Sequence, residues 1–491
     1  MIMSYKLSKS NYLVGLECPR YLWTIINYPE KIRKETLAEK FTFNEGIIVG
    51  EIAKQLFSKR INIPFDDYSE NILKTKEFLV KNKPLFEAGF KFNNCYSRAD
   101  ILVPTGKKWD IIEVKSGTRV KDINFHDVSF QKYIYEGNGL KINKCFILHL
   151  NKEYIRKGEI DIENLFVKED ITSEVNELTP EIEERADKIF KIISSKNIPK
   201  AGILLEKLMK NGNHDCITEN CLELEENNNI FCLYRGRKLA CELYKDGIVT
   251  IRNIPEDCSL NEKQKIQRDC EIKEETYVNK EKLIEFLSTL QYPVYYLDFE
   301  TFSTAIPMFD GLKPYAQVPF QFSLHVVKNE ETKPQHYEFL YDGHGDPRKE
   351  FLQELQKVLG DKGSIVVYFK SFEIGRLKEL AEYFPEYKEW VDFVLKRIVD
   401  LHVPFREFSY YNSKQQGSAS LKAVLPAITG KSYQELEIRE GRTASIEFLR
   451  VTYEECDEKE KQKIREGLLE YCKLDTLAQV MIVEKLREIV R

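Results

Sequence analysis

No uninterrupted apolar run in the 491 residues is long enough to span a bilayer, and the amino terminus, MIMSYKLSKSNYL, lacks the apolar core of a signal peptide. These absences set aside a membrane helix and give a cytoplasmic location as the expectation. A global excess of positive charge is also missing. Lys plus Arg total 74 against 79 for Asp plus Glu, a net charge of -5, so attraction to a polyanion must come from local patches and bound metals. No fixed-period repeat is visible, which argues against solenoids and propellers, and the one biased tract, EENNN, reads as a loop. Cysteine is present in an odd number, eleven. Without an export signal that number argues against a disulfide framework and leaves packed thiols or metal ligation.

The chain is too long for one ordinary core. Its first block has helix patterns at FNEGIIVGEIAKQLF and FLVKNKPLF, then strand patterns at ADILVP, WDIIEVKSG and KCFILHLN. A cysteine-containing, Asn-rich stretch follows. From about Pro293 strands (VYYLDFE, PFQFSLHVV, SIVVYF) alternate with helices, including the terminal LEYCKLDTLAQVMIVEKLREIV, the order of an α/β domain. The expected divisions are 1–235, a linker subdomain at 236–290, and 291–491.

The segment PVYYLDFETF places two acids at the end of an apolar strand. Asp298 and Glu300 are two apart, so both side chains point to one side of the sheet. Two such carboxylates repel each other and resist desolvation, which makes a bound cation the natural explanation. A lone pair supplies too few oxygens for octahedral magnesium. Glu373 stands where the strand SIVVYF gives way to a helix, and Tyr471 and Asp475 are four apart on the terminal helix, hence on one face. Alone, each of these patterns is common.

Together and in this order, from Tyr292 to Arg491, they resemble the DEDD exonucleases of the tyrosine subclass, on an RNase H-like fold. The resemblance implies that Asp298, Glu300, Glu373 and Asp475 hold two magnesium or manganese ions and that Tyr471 orients the attacking water, giving 3′-to-5′ exonuclease action. Two such ions activate a water and relieve charge on the leaving oxygen. Glu373 departs from the family, which usually has Asp there.

The segments SRADILVP and WDIIEVKSGTRV repeat the theme. Asp100 lies on one strand, and Glu113 and Lys115 face the same way on the next. Such a set is able to hold one or two divalent ions while the ammonium assists the water or the phosphate. A cross-facing ion pair at a strand edge is the simpler alternative. Gln131 and Tyr135 follow one helical turn apart. These residues resemble the RecB-like branch of the PD-(D/E)XK nucleases, which implies a restriction-endonuclease-like fold for the first domain and catalytic roles for Lys115, Gln131 and Tyr135. It also implies metal ligation by Asp100 and Glu113, with Glu51 at the position where that branch often has a histidine ligand.

Cys18, in LECPRYLW, and the later Cys216, Cys221 and Cys232 resemble the iron-sulfur subset of RecB-like nucleases. There one early Cys-Pro and three late cysteines hold a four-iron cluster. Zinc and ordinary buried thiols remain alternatives. The segment LYKDGIVTIRNIPED resembles a helix-hairpin-helix, though a simple packing hairpin fits it as well.

The combined expectation is a metal-dependent nuclease with two sites acting on nucleic acid, DNA ahead of RNA, at a single strand or an end. An RNA-processing exonuclease and a non-catalytic nucleic-acid-binding scaffold for repair or defence are the alternatives. Oligomeric state is not legible.

Overall fold

A computed structural model describes residues 6–199, 224 and 227–491. The chain forms two compact units, Met1–Leu222 with Thr304–Ala316, and Glu223–Ser303 with Gln317–Arg491. Both are mixed α/β.

In the first unit a mixed sheet runs β2 (Ile61–Asn62), β3 (Leu85–Phe92), β4 (Cys95–Thr105), β5 (Lys108–Lys115), β6 (Ile142–Leu150), β7 (Phe166–Asp170), and β1 (Leu7–Ser8) pairs in parallel with β4. β3, β4 and β5 form an antiparallel meander, and β6 returns parallel to β5. That parallel return needs a crossover, and α5 (Asp122–Gly137) provides it. The sheet is apolar on both faces. Leu85, Leu102 and Ile111 pack with Phe130 and Ile134 of α5, whereas Phe86, Ile101 and Ile112 pack with Val49 and Ala53 of α3 (Leu37–Lys54). α1 (Lys9–Glu17) and α2 (Pro19–Asn27) add Tyr12 and Leu22 to the α5 side. The helix pattern read over FLVKNKPLF gives way to two elements. α4 (Tyr68–Leu79) ends there and β3 begins at Leu85, because Pro84 disfavours helical backbone in the residue before it.

Gly46 and Gly50 lie inside α3 where an added Cβ would meet nothing within 4 Å. Glycine weakens a helix interior and enlarges the unfolded ensemble. Gly46→Ala and Gly50→Ala are each expected to stabilise the chain by about 0.5–1 kcal/mol, read as a higher denaturant midpoint.

The second unit has a five-stranded sheet in the order β11 (Gln335–Leu340), β10 (Val318–Val327), β9 (Val294–Phe302), β12 (Ile365–Val367), β13 (Ile398–Asp400). The first three are antiparallel and the last two run parallel to β9. One face, with Leu297, Phe299 and Phe322, is covered by Phe351 and Leu355 of Arg348–Val358 and Leu377 of Ser371–Tyr383. The other face meets the terminal helix, Glu458–Val490. Polar contacts help fix that helix across the sheet. Gln321 Nε2 donates to Leu468 O (2.8 Å), Gln479 Nε2 donates to Leu297 O (3.2 Å), and the Ser323 and Thr476 hydroxyls share a 2.7 Å bond.

The units do not follow the divisions expected from the sequence. Residues 236–290 pack within the second unit. Gln267 Nε2 donates to Cys232 O (2.8 Å), and β8 (Tyr277–Val278) pairs with β14 (Tyr410–Tyr411). The suggested helix-hairpin-helix is a helix at Arg237–Lys245, a turn through Gly247 at φ 81°, and a single 3-10 turn at Ile251–Asn253. The next α-helix begins only at Glu262.

Candidate active sites: two carboxylate clusters

β9 places Asp298 and Glu300 on the face that meets the terminal helix, and that helix brings Asp475 to them. Oxygens of the three carboxylates all lie within 4.8 Å of one another, and among the described residues no other group of three His, Cys, Asp or Glu side chains converges in this way. Glu300 and Asp475 are buried. Burial, reinforced by the Asp475 charge, pushes the Glu300 carboxyl up to about 8. Burial raises Asp475 to about 6, opposed by the Tyr433 hydrogen bond and by Lys422. Asp298 is held far above the usual carboxylate range by burial, then by Asp475, Glu300 and Glu373. A divalent cation would reverse this energetic balance, since it favours the ionised form of every member.

Tyr471 lies one turn before Asp475 and is buried. Burial and the nearby carboxylates hold its phenol well above the ordinary tyrosine range, so it stays protonated at neutral pH. Glu373, in the first turn of Ser371–Tyr383, stands outside the converging three. Its side chain is 2 % exposed, burial pushes it up to about 8, and its Oε2 has no hydrogen-bond partner. The structure thus gathers Asp298, Glu300, Asp475 and Tyr471, with Glu373 as a neighbouring buried acid.

Two further residues join this site, Tyr433 and Lys422. Tyr433 donates from Oη to Asp475 Oδ1 at 2.6 Å. Lys422, in the first turn of the helix Leu421–Thr429, sets its Nζ 5.2 Å from the Tyr471 ring centroid and 5.7 Å from that of Tyr433. Tertiary folding alone brings Tyr433 to these acids.

In the first unit, β4 and β5 bring Asp100 against the Glu113–Lys115 strand, and Asp100 Oδ2 accepts the Val114 N–H at 2.8 Å. Glu113, 2 % exposed, accepts from Lys115 Nζ (2.7 Å), Gln131 Nε2 (2.6 Å) and Lys9 Nζ (2.7 Å). Tyr135 Oη donates to Gln131 Oε1 at 3.1 Å. Lys9 and Asp127 are additions to the expected set. Lys115 Nζ lies 2.6 Å from Asp127 Oδ2, and Gln131 Nε2 donates to Asp127 Oδ1 at 2.9 Å. Burial pushes Glu113 up to about 7, with Asp100 and Asp127 adding to the rise and the two lysines opposing it. Burial would also raise Asp127, but Lys9 and Lys115 hold it below the ordinary range. The helical spacing of Asp127 and Gln131 was a usable signal, since i,i+4 side chains share a face.

Glu51 is not brought to these acids. It is exposed and paired with Lys54 at 2.7 Å. It does line the same cavity, about 530 Å³, whose floor holds Asp100, Glu113 and Lys115.

Cys18 is buried and caps α2, its Sγ accepting the Tyr21 N–H at 3.3 Å. Cys232 belongs to the other unit and donates its thiol to Gln416 Oε1 at 3.9 Å. Cys216 and Cys221 lie outside the described residues. Neither Cys18 nor Cys232 joins a group of three metal-ligating side chains among the described residues, so the two do not by themselves form a ligand set for a cluster.

Residues 295–420 match the family described as "Domain of unknown function (DUF2779)". The chain is 32% identical over 207 residues to "Uncharacterized protein MG366 homolog" of Mycoplasma pneumoniae, covering 38% of this chain and 31% of that protein. It is 31% identical over 215 residues to "Uncharacterized protein MG366" of Mycoplasma genitalium (40% and 32%) and 25% identical over 228 residues to "Uncharacterized protein UU173" of Ureaplasma parvum (40% and 32%). The matched region includes Asp298, Glu300 and Glu373 but ends before Tyr471 and Asp475, and the chain spans about a third of the length of these relatives.

Proposed function

We propose that the protein is a divalent-metal-dependent nuclease acting on DNA, with a DEDD-type 3′-to-5′ exonuclease site on an RNase H-like second unit and a RecB-like PD-(D/E)XK site in the first. The observation that carries this reading is the convergence of Asp298, Glu300 and Asp475 from a strand and a helix far apart in sequence. The sheet order β11-β10-β9-β12-β13, antiparallel then parallel, supports the RNase H-like part.

Asp298, Glu300 and Asp475 supply the hard oxygen donors that magnesium or manganese prefers, and Glu373 adds an unpartnered buried oxygen beside them. Ions bound there supply an activated water and charge relief at the leaving oxygen. Tyr471, protonated at neutral pH, positions that water as a hydrogen-bond donor or acceptor and takes no proton from it. Tyr433 fixes the orientation of Asp475, and the Lys422 ammonium places positive charge beside both phenols. In the first unit Asp100 and Glu113 are the candidate ligands, and Lys115 is the cation at the scissile phosphate.

The test uses end-labelled DNA and RNA strands of one sequence, with the 3′ or 5′ end blocked in turn, and magnesium or manganese. Mononucleotide release from the free 3′ end of DNA is expected, and EDTA should stop it. Purified full-length chain that cuts neither polymer with either metal would overturn the reading.

A further inference from the structure

The cavity above Asp100, Glu113 and Lys115 has a second side that the carboxylate chemistry does not explain. α3 lines it with Phe43 (70 % exposed), Ile47 (50 %) and the bare backbone of Gly46 and Gly50, and Phe65 (50 %) adds a further aromatic face. Neither glycine is required by packing, and both weaken the helix that carries them. A side chain at either position would project into open space, so their effect is to keep room against α3. The Arg98 guanidinium lies 4.1 Å over the Phe65 ring, and a charged edge lies beside it. Glu87 pairs with Arg98 at 2.7 Å and with Lys54 at 3.1 Å. Glu87 has φ 61° inside β3, between the register pairs Phe86–Ile101 and Ala88–Ala99, and so lies opposite Asp100. Left-handed backbone at a non-glycine strand residue is strain of the kind that gathers at binding sites.

We propose that this cavity seats one unpaired nucleotide of a single strand, with its base against Phe43, Ile47 and Phe65 and its phosphate directed to the Asp100–Glu113–Lys115 floor. The inference rests on the nuclease reading of the first unit and makes that site specific for single strands. Bases inside a duplex are stacked on their neighbours and offer no face to the wall, whereas an unstacked base gains from an aromatic platform and an arginine plane. The volume, about 530 Å³, falls in the range of pockets that enclose small organic ligands.

The full-length protein, in EDTA, is irradiated with a 12-nucleotide DNA strand carrying 5-iododeoxyuridine, and the adducts are located by mass spectrometry. An adduct on Phe43 or Phe65 is expected. Its yield should fall about tenfold when the strand is annealed to its complement, and by a similar factor in Gly50→Leu, which fills the space beside α3. Phe43→Ala, which adds no bulk, should lower the yield at Phe65 if Gly50→Leu fails to fold. Equal yields from duplex and single strand, undiminished yields in the folded variants, or adducts confined to other residues would overturn the proposal. A chain that cleaves DNA but gives no adduct at this wall retains the nuclease reading and loses the cavity assignment. A chain that neither cleaves nor crosslinks loses both.

Discussion

Asp298→Asn is expected to lower metal-dependent cleavage from the 3′ end by about 10³-fold or more, and at the same time to make the metal-free protein more stable at pH 8. Both effects follow from one crowded site. Asp298, Glu300 and Asp475 converge within 4.8 Å, and without a cation their burial and mutual repulsion hold protons on them. The folded chain keeps the Glu300 proton up to about 8 and that of Asp475 up to about 6, against ordinary values of 4.5 and 3.8. Between those limits the folded state therefore binds more protons than the unfolded state. Stability is fully present below about pH 4 and is lost as pH rises through the folded values. For the wild-type chain in EDTA the expected loss is about 6–7 kcal/mol between pH 4 and pH 8. Millimolar magnesium should restore much of it at pH 8 by binding only the folded, ionised cluster. In Asp298→Asn one charge is gone, so both the pH slope and the magnesium effect should shrink. Denaturant unfolding at the two pH values with and without magnesium, beside a cleavage assay, reads all of this. Identical pH slopes in the two proteins would contradict it.

Lys9→Met is expected to destabilise the first unit by about 2–4 kcal/mol, somewhat less than breaking an isolated buried ion pair because Lys115 remains. Lys9 lies 2.7 Å from Glu113 and 3.4 Å from Asp127, and both acids are nearly inaccessible to water. Removing its ammonium leaves two buried carboxylates to share the Lys115 charge. Glu113, already raised to about 7 by burial and its acidic neighbours, would retain its proton further into the neutral range. Adding Asp127→Asn should recover part of the loss, since it removes one of the acids left short of a partner. The double variant should then be more stable than the sum of the two single effects. Equilibrium unfolding of the four proteins checks this, and a Lys9→Met effect below about 0.5 kcal/mol would count against the network.

What was legible in the sequence followed the reach of local geometry. Alternation along a strand predicted that Asp298 and Glu300 share a face, and helical spacing predicted the same of Tyr471 and Asp475. Both are properties of a single element. The α/β class was legible for the same reason. Lys9, Tyr433 and the pairing of Asp127 with Lys115 were not, because each depends on how separate elements meet. The division into units was hidden too. The composition around residues 236–290 suggested a linker, yet those residues share buried contacts with later ones, such as Cys270 with Phe408 and Tyr411. Glu51 was legible from its place on the helix, and it lines the same cavity as Asp100 and Glu113 while its side chain pairs with Lys54.

One loop decides how this gene product can be dissected. Thr304–Ala316 counts with the first unit although the strands on either side of it, β9 and β10, count with the second. Within the first unit it gives Ala305 to the core, offers the Ala305 amide to Glu45, and presents the Pro307 and Met308 carbonyls to Arg156 Nη1 at 2.9 and 2.6 Å. A polypeptide stopped anywhere ahead of Thr304 forfeits all of those anchors. The halves are therefore interleaved along the backbone, and no single scission yields both of them whole.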